Sequence, residues 1–235
     1  MCHFMNILLK RTYLILILSI GFNSCINSVK NNEYILLEEK LNGEYHTIFI
    51  DTSKNSKYYD QIANFSFNNF DQESYNKTLE YFKAHDLKLN KINIDSLPRE
   101  WVALKRYKGK YYTYRPSDFI YHQKMKITDS TVIEYIEGAI SNKIISYELK
   151  NNKVFDLRLT GIHKIKRELI IQIIDKENGI AVFIDSENNK DKEYYLMIAA
   201  DKIKNFPIIV NLCETGKQDK FEKFDSIDFK QLINR

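Results

Sequence analysis

The chain has 235 residues, 44% of them hydrophobic, and carries a formal net charge of +4. This composition is typical of a folded protein, so it excludes disorder for most of the chain. It also excludes a nucleic-acid footprint, because loss of Lys10 and Arg11 with an amino-terminal leader lowers the charge of +4 to +2.

The first 25 residues have the three-part layout of an export signal. Lys10 and Arg11 form a positive segment, 12–22 (TYLILILSIGF) is an apolar run, and 23–25 (NSC) follow. A helix needs about 20 apolar residues to cross a bilayer, so this run predicts export rather than a spanning anchor. The layout is the same whether Met1 or Met5 is the start.

The sequence around Cys25 resembles the lipobox of bacterial lipoproteins, in which a cysteine is diacylated and the leader is cut just before it. The matching residues are FNSC at 22–25, where Ser24 fits the pattern, while Phe22 and Asn23 replace the usual leucine and small residue. The resemblance implies a signal peptide over 1–24, a lipid (palmitate-type) on Cys25, and an outer-membrane location facing the periplasm. Two or three acyl chains hold a protein durably on a membrane.

Three alternatives remain open at this cysteine. The leader could be cut by the general signal peptidase or retained as an anchor, and Cys25 could form a disulfide with Cys213. The cysteines, Cys2, Cys25 and Cys213, are too few and too irregular for a disulfide-stapled domain, so stability must come from a hydrophobic core. Residues 25–33 are expected to form the lipidated cysteine and a polar tether.

Residues 34–98 show mixed helix and strand signals. Asp71 is the predicted N-cap of a helix over 71–85, in which Tyr75, Leu79 and Phe82 form one apolar stripe. A shorter helix is predicted over 57–64, a strand over 47–50 and a turn at 42–43.

From Trp101 onward, alternating apolar and polar residues predict an antiparallel meander of nine or ten strands. The predicted strands are 101–107, 110–115, 119–127, 131–137, 143–150, 153–160, 167–174, 180–185, 193–200 and 207–213. Asn151 and Asn152 predict a tight hairpin, because asparagine tolerates positive φ. Short connections cannot make parallel crossovers, so we expect all these strands to run antiparallel.

The predicted fold class is α+β and mainly β, with a single globular domain over 34–235. Its first part, 34–98, is the mixed segment, and 99–235 is the meander, which is expected to form a barrel or strongly bent sheet. Residues 180–184 and 194–200 are apolar on both faces, so one face should look into the barrel while one or two amino-terminal helices cover the other.

The meander and the helical segment before it resemble the lipocalin or calycin architecture in topology alone, over 96–213. These families place a glycine two residues before the first-strand tryptophan, whereas Arg99 and Glu100 precede Trp101 here. The resemblance therefore implies a barrel and no particular binding residue.

Motifs for chemistry are almost absent, so we predict no enzyme, no cofactor and no metal site. The seven glycines are too dispersed for a phosphate-binding loop. The mature histidines, His46, His85, His122 and His163, lack metal-ligand spacing. Ser117, Asp118 and His122 predict a polar turn that leads into a solvent-facing histidine rather than a triad. The acidic loop 185–193 lacks the mid-loop glycine of a calcium site.

One aromatic cluster is the candidate ligand surface. Its members are Trp101, Tyr107, Tyr111, Tyr112, Tyr114 and Tyr121. Flat rings with a polar edge suit apolar or sugar-like ligands, although tyrosine is also simply common in strands. The sequence thus leads to two functional hypotheses: non-enzymatic binding of a small amphiphile or glycan, and a membrane-tethered protein-interaction, assembly or inhibitor-type subunit with an envelope-protein partner.

Overall fold

The computed structural model describes residues 33–41, 44–94, 96–118, 122–136, 138–188, 191–213 and 223–234. Tyr34–Arg235 forms one compact unit. The predicted signal segment 1–24 and Cys25 lie outside the described residues, so cleavage, lipidation and the competing disulfide stay predictions. The predicted turn at 42–43 also lies outside them.

Twelve strands are present among the described residues. They are β1 (Glu33–Leu41), β2 (Glu44–Asp51), β3 (Glu100–Tyr107), β4 (Lys110–Arg115), β5 (Lys124–Ile127), β6 (Thr131–Tyr135), β7 (Ala139–Lys150), β8 (Val154–Thr160), β9 (Lys166–Asp175), β10 (Ile180–Glu187), β11 (Glu193–Ala199) and β12 (Ile208–Cys213). The helices are α1 (Lys57–Ile62), α2 (Asn69–Ala84) and α3 (Phe229–Ile233), with 3₁₀ turns at Ile162–Lys164 and Ala200–Asn205.

Eight of the strands close into an antiparallel barrel, which confirms the predicted fold class. The order around the barrel is β3, β11, β10, β9, β8, β7, β6 and β5. Closure comes from β3, whose first half pairs with β11 through Trp101 to Ala103 and with β5 through Glu100 to Val102. Closure leaves no free edge along these strands.

The remaining strands form a second sheet that branches from β3. Leu104 to Tyr107, the second half of β3, pairs with β4, and the order continues through β12 and β2 to β1. The expectation that every meander strand runs antiparallel is wrong at one place, because β12 is parallel to β4. The two strands are far apart in sequence, so the chain between them is long enough to reverse direction.

The predicted hairpin at Asn151 and Asn152 is confirmed. Both residues have positive φ, 52° and 54°, and the Lys153 N–H donates to the Lys150 carbonyl at 3.2 Å. Two adjacent left-handed residues give the backbone twist that matches the flanking strands. This turn sets the register of β7 against β8.

The surroundings of its two faces explain why β10 is apolar throughout. Ala181 and Phe183 point into the barrel, whereas Ile180, Val182 and Ile184 belong to a second cluster outside it. The outer cluster is covered by α1, by Phe49, Ile208 and Val210 of the second sheet, and by the carboxy-terminal segment. In that segment the Phe229 ring stacks on Tyr194 with centroids 5.5 Å apart.

Helix α2, the longest helix, packs on β7. It therefore does not cover β10 and β11, the two strands whose apolar faces led us to expect a covering helix. The helix approaches the backbone closely at Gly138, just before β7, where an added Cβ atom would overlap the Ser74 side chain. The predicted N-cap is wrong by three residues. Asn68 is the N-cap, and Asp71 occupies the third helical position, from which its carboxylate accepts the Asn68 N–H in a capping box.

We expect Asn68→Ala to lower the free energy of unfolding by about 1 kcal/mol. The Asn68 side-chain oxygen accepts the Asp71 N–H at 2.8 Å, and alanine would leave that donor without its partner. Urea denaturation followed by circular dichroism measures the change. Asn69→Ala, at the exposed first helical position, is the matched control, and equal losses in the two variants would contradict the capping role.

Candidate functional site

The structure does not bring the predicted aromatic cluster together as one surface. Trp101 is completely buried in the barrel interior, where its Nε1–H donates to the Pro98 carbonyl at 2.7 Å. Tyr111 packs on the outer cluster against Phe206. The other described members, Tyr107, Tyr112 and Tyr114, are buried in a third cluster with Ile48 and Ile209. Tyr121 lies outside the described residues.

His122 is buried rather than solvent-facing, so that prediction is wrong. Only 3% of the residue is exposed, and its Nε2–H donates to the Ile62 carbonyl at 2.8 Å. Burial lowers the pKa of His122 to about 4, and the bond to the Ile62 carbonyl offsets only part of that effect. This neutral imidazole therefore links the segment just before β5 to the end of α1.

The buried imidazole predicts a loss of stability in acid. Because the folded-state pKa is depressed, the unfolded chain takes up a proton between about pH 6.5 and 4 that the folded chain does not, which costs up to about 3 kcal/mol. We expect His122→Asn to flatten the fall in unfolding free energy over this range. Urea denaturation at pH 7, 5.5 and 4.5 measures it, with exposed His85→Asn as the control. Identical pH profiles for wild type and His122→Asn would contradict the assignment.

The other histidines do not assemble a metal centre. His46 is buried between two oxygens, with Nδ1 2.9 Å from Glu39 Oε1 and Nε2 2.8 Å from Asn211 Oδ1. His85 and His163 both contact the Tyr81 ring. Across the described ranges no group of three or more histidine, cysteine or acidic side chains is placed to hold a metal ion.

Three charged side chains meet inside one end of the barrel, where β6 ends, β9 begins and β10 ends. Arg167 Nη2 lies 2.6 Å from Glu134 Oε1 and also contacts the Asp185 carboxylate. The three side chains are only 12% to 14% exposed. Arg167 shares the inward face of β9 with Leu169 and Ile171, so it ties three barrel strands together from within.

Burial and charge act in opposite directions on this ion cluster. Burial raises the pKa of Glu134, although Arg167 beside it acts to lower that pKa. Burial alone would lower the pKa of Arg167, but the Glu134 and Asp185 carboxylates outweigh it and the pKa is raised. Arg167 is therefore a permanent cation, and burial favours the protonated form of Glu134.

A small pocket lies directly beside the ion cluster. Its volume is about 50 Å³, and its apolar walls include Met125, Phe183 and Met197. Tyr195 borders it, and its hydroxyl donates to Glu193. A pocket of this size has room for only a few water molecules. Below it, the barrel interior is packed with buried side chains such as Trp101, so this barrel is not a hollow cup around a large ligand.

A larger groove lies on the other side of Arg167, over the paired ends of β8 and β9. Its volume is about 580 Å³, and its apolar lining consists of Leu87, Ile145 and Leu159. Ile145 is 53% exposed and sits at a β-bulge, where the register of β7 against β8 shifts between Ile144 and Ser146. Such bulges redirect a side chain, and here the bulge turns an isoleucine outward into the groove.

The rest of the groove lining is mainly cationic or carries hydroxyl groups. The charged members are Arg158, Lys164, Lys166, Arg167 and Glu168, and the hydroxyl groups belong to Thr160 and Ser186. Arg158 lies opposite Glu168 in the strand register, and Arg167 contacts two carboxylates inside the barrel. Lys164 and Lys166 have no ion-pair partner in the part of the chain that the structure describes.

The loop between β8 and β9 holds Lys164 in a strained backbone conformation. His163 and Lys164 have φ values of 59° and 55°, which cost about 1–2 kcal/mol per residue for side chains of this size. The loop is fixed at its base, since the Gly161 N–H donates to the Ile165 carbonyl at 3.0 Å and the Lys166 N–H donates to Asn188 Oδ1 at 3.1 Å. Strain that is held in place in this way is common at functional sites.

Sequence reasoning missed this site and considered Asp185 only as part of the acidic loop 185–193, although one signal was present. Glu134, Arg167 and Asp185 each continue the apolar face of their strand, alternating in phase with Val132, Leu169 and Phe183. A charge on the buried face needs a partner, and three such charges at strand ends indicate a buried cluster. The groove has no comparable signal, because a β-bulge and an irregular loop create it.

The ion cluster and the groove together form one candidate site, because Arg167 lines both the small pocket and the groove. Among the described residues, no helix has the length and apolar character that crossing a bilayer requires. No family model matches the chain, and neither a curated protein nor a solved structure is significantly similar to it.

Proposed function

We propose that this protein is a non-enzymatic, lipid-anchored envelope protein that binds a small anionic amphiphile in the groove over β8 and β9. One observation carries the proposal: a cavity of about 580 Å³ combines an apolar wall with two lysines that lack ion-pair partners among the described residues. Ligand sites typically have volumes of about 300–1,000 Å³. The apolar chain would lie against Leu87 and Ile145, and its anionic group would lie at Lys164 and Lys166.

The energetics favour a ligand with both an apolar and an anionic part. Ile145 is 53% exposed, so a bound chain would remove apolar surface from water on both partners. Each buried methylene contributes about 0.8 kcal/mol, so a chain that buries about six of them would gain about 5 kcal/mol. A charge-assisted hydrogen bond from either lysine would add about 1.5–3 kcal/mol.

Calorimetric titration tests this binding. The Cys25→Ser chain, which has no thiol for lipid attachment, would be titrated with dodecanoate and with dodecyl maltoside below their micelle concentrations. We expect dodecanoate to bind more tightly than the neutral sugar-headed probe. Ile145→Ser should weaken dodecanoate about tenfold, and so should the double variant Lys164→Gln and Lys166→Gln, which removes both cations.

Two matched variants outside the groove serve as controls. Leu149→Ser removes a 38% exposed leucine from the same strand, and Lys153→Gln removes an exposed lysine from the hairpin that follows. Both should bind dodecanoate like wild type. Absence of binding, or equal losses in groove and control variants, would contradict the proposed function, and tighter binding of the maltoside would contradict the anionic headgroup.

The proposed anchor is the lipid on Cys25, which follows from the FNSC motif at 22–25. Metabolic labelling with a clickable fatty acid should mark the wild-type chain and leave Cys25→Ala unmarked. The wild-type chain should also fractionate with the outer membrane, whereas the variant should be released from it. A labelled or fully membrane-bound Cys25→Ala chain would contradict the anchor.

A second candidate function, binding an envelope-protein partner, is favoured by the edge of the second sheet. β1 is the last strand of this sheet among the described residues, and Tyr34 and Ile35 on it are 70% and 62% exposed. An exposed edge strand offers backbone hydrogen bonds to a partner strand. Crosslinking in intact cells from Tyr34 should then trap one dominant protein, whereas the same crosslinker at exposed Lys153 should not.

A further inference from the structure

We infer that the groove selects a doubly charged phosphomonoester headgroup over a singly charged one, an inference that rests on the proposed function and specifies its ligand class. The charges in the lining support it. Arg158 faces Glu168 across the strand pair, and Arg167 is held by Glu134 and Asp185. Lys164 and Lys166 are left as two positive charges with no ion-pair partner among the described residues.

The common anionic headgroups differ in the number of negative charges that they carry. A carboxylate or a sulfate monoester carries one negative charge at neutral pH, whereas a phosphomonoester carries between 1.5 and 2, because its second pKa is about 6. One lysine would balance the first two groups and leave the other lysine uncompensated. A phosphomonoester can pair with both lysines.

The hydrogen-bond donors of the groove fit the same headgroup. A phosphomonoester offers three strong acceptor oxygens, and the lining provides the Thr160 and Ser186 hydroxyls beside the lysines. Thr160 lies directly opposite Lys166 in the register of β8 and β9, so a hydroxyl and an ammonium group flank one position. Hydrogen bonds donated by the Gly161 and Lys166 N–H groups fix the loop that carries Lys164. They therefore fix the position of the Lys164 backbone beside the groove.

Three amphiphiles of matched chain length, together with inorganic phosphate, test the inference. Dodecyl phosphate, dodecyl sulfate, dodecanoate and inorganic phosphate would be titrated calorimetrically into the Cys25→Ser chain at pH 7.5, below the micelle concentrations. We expect dodecyl phosphate to bind about tenfold more tightly than dodecyl sulfate or dodecanoate, because it gains one further charged contact. Inorganic phosphate should bind most weakly, since it has no chain to cover Ile145.

The variants separate charge from apolar contact. Lys164→Gln and Lys166→Gln should each reduce the preference for dodecyl phosphate over dodecanoate to about threefold or less. Ile145→Ser should weaken both probes by the same factor and keep the preference, and Lys153→Gln should change neither.

The outcomes distinguish this inference from the proposed function. Equal affinity for dodecyl phosphate and dodecanoate, or for dodecyl phosphate and dodecyl sulfate, would overturn the phosphomonoester selectivity and leave amphiphile binding intact. Absence of binding for every probe would overturn both. Inorganic phosphate that binds as tightly as dodecyl phosphate would support the dianion site and contradict the amphiphile, because the chain would then contribute nothing.

Discussion

Arg167→Met is expected to lower the free energy of unfolding by about 3–5 kcal/mol at pH 7. The substitution would leave Glu134 and Asp185 buried at one end of the barrel without their shared cation, from which Glu134 Oε1 is 2.6 Å away in the native protein. Two carboxylates in that position repel each other and have lost their solvation. Urea denaturation measures the loss, and Arg158→Met, an exposed arginine on the neighbouring strand, should change stability by less than about 1 kcal/mol.

The pH dependence of this loss has a definite sign. Burial already raises the pKa of Glu134, and removal of the Arg167 charge would raise it further. A carboxyl whose folded pKa is raised stabilises the protein most below its unfolded pKa, and that stability is lost as the pH rises through the folded value. The deficit of Arg167→Met relative to wild type should therefore be smaller at pH 4.5 than at pH 7.

An apolar replacement of the whole cluster is the complementary test. The triple variant Glu134→Leu, Arg167→Met and Asp185→Leu removes every charge from this end of the barrel, so it should recover most of the stability that Arg167→Met alone loses. A deficit in the single variant that is independent of pH, together with no recovery in the triple variant, would show that Arg167 stabilises the barrel by packing rather than by charge.

Phe183→Ala is expected to lower the free energy of unfolding by about 3–5 kcal/mol. Phe183 is fully buried on the inner face of β10, and its ring contacts Trp101 edge-on with centroids 5.1 Å apart. The barrel interior is filled by such side chains, so the truncation would leave a cavity in addition to the lost transfer free energy. Urea denaturation followed by Trp101 fluorescence measures the loss at the site itself.

A second phenylalanine supplies the control for this truncation. Phe70→Ala removes a ring that is 58% exposed on α2, and it should cost less than about 0.5 kcal/mol. If Phe183→Ala were equally mild, the interior would have to collapse around the missing ring or hold space that the packing does not show. The first result would show that the core repacks around the truncated side chain, and the second would show that the barrel interior is partly hollow.

Local patterns in the sequence predicted most strands but not the sheets that they form. Alternation located β3 through β12 to within a few residues at most ends, since period-two patterning depends only on neighbouring residues. It missed β1, because Glu33–Leu41 combines a continuous apolar run with three charged residues in succession. The capping box also misled the helix assignment, because Asn68 and Asp71 are both good caps and only the backbone shows which residue precedes the helix.

The candidate site was less predictable than the fold. The aromatic cluster was close together in sequence, yet its described members point into three different parts of the core, because successive strand residues face opposite sides and β3 passes from the barrel into the second sheet. Arg167 meets Glu134 and Asp185 only because closure places β6, β9 and β10 around one opening. No local pattern encodes that proximity.

The sequence by itself determined the strand positions, the hairpin at Asn151 and Asn152, and the need for cover on both faces of β10, since each depends on local backbone preference or on apolar patterning. The tertiary structure alone decided that the barrel closes through β3, that β12 runs parallel to β4, and that Lys164 and Lys166 share a groove with Ile145. These features depend on pairing between residues that are far apart in the chain. The contacts that stabilise such pairing exist only after folding.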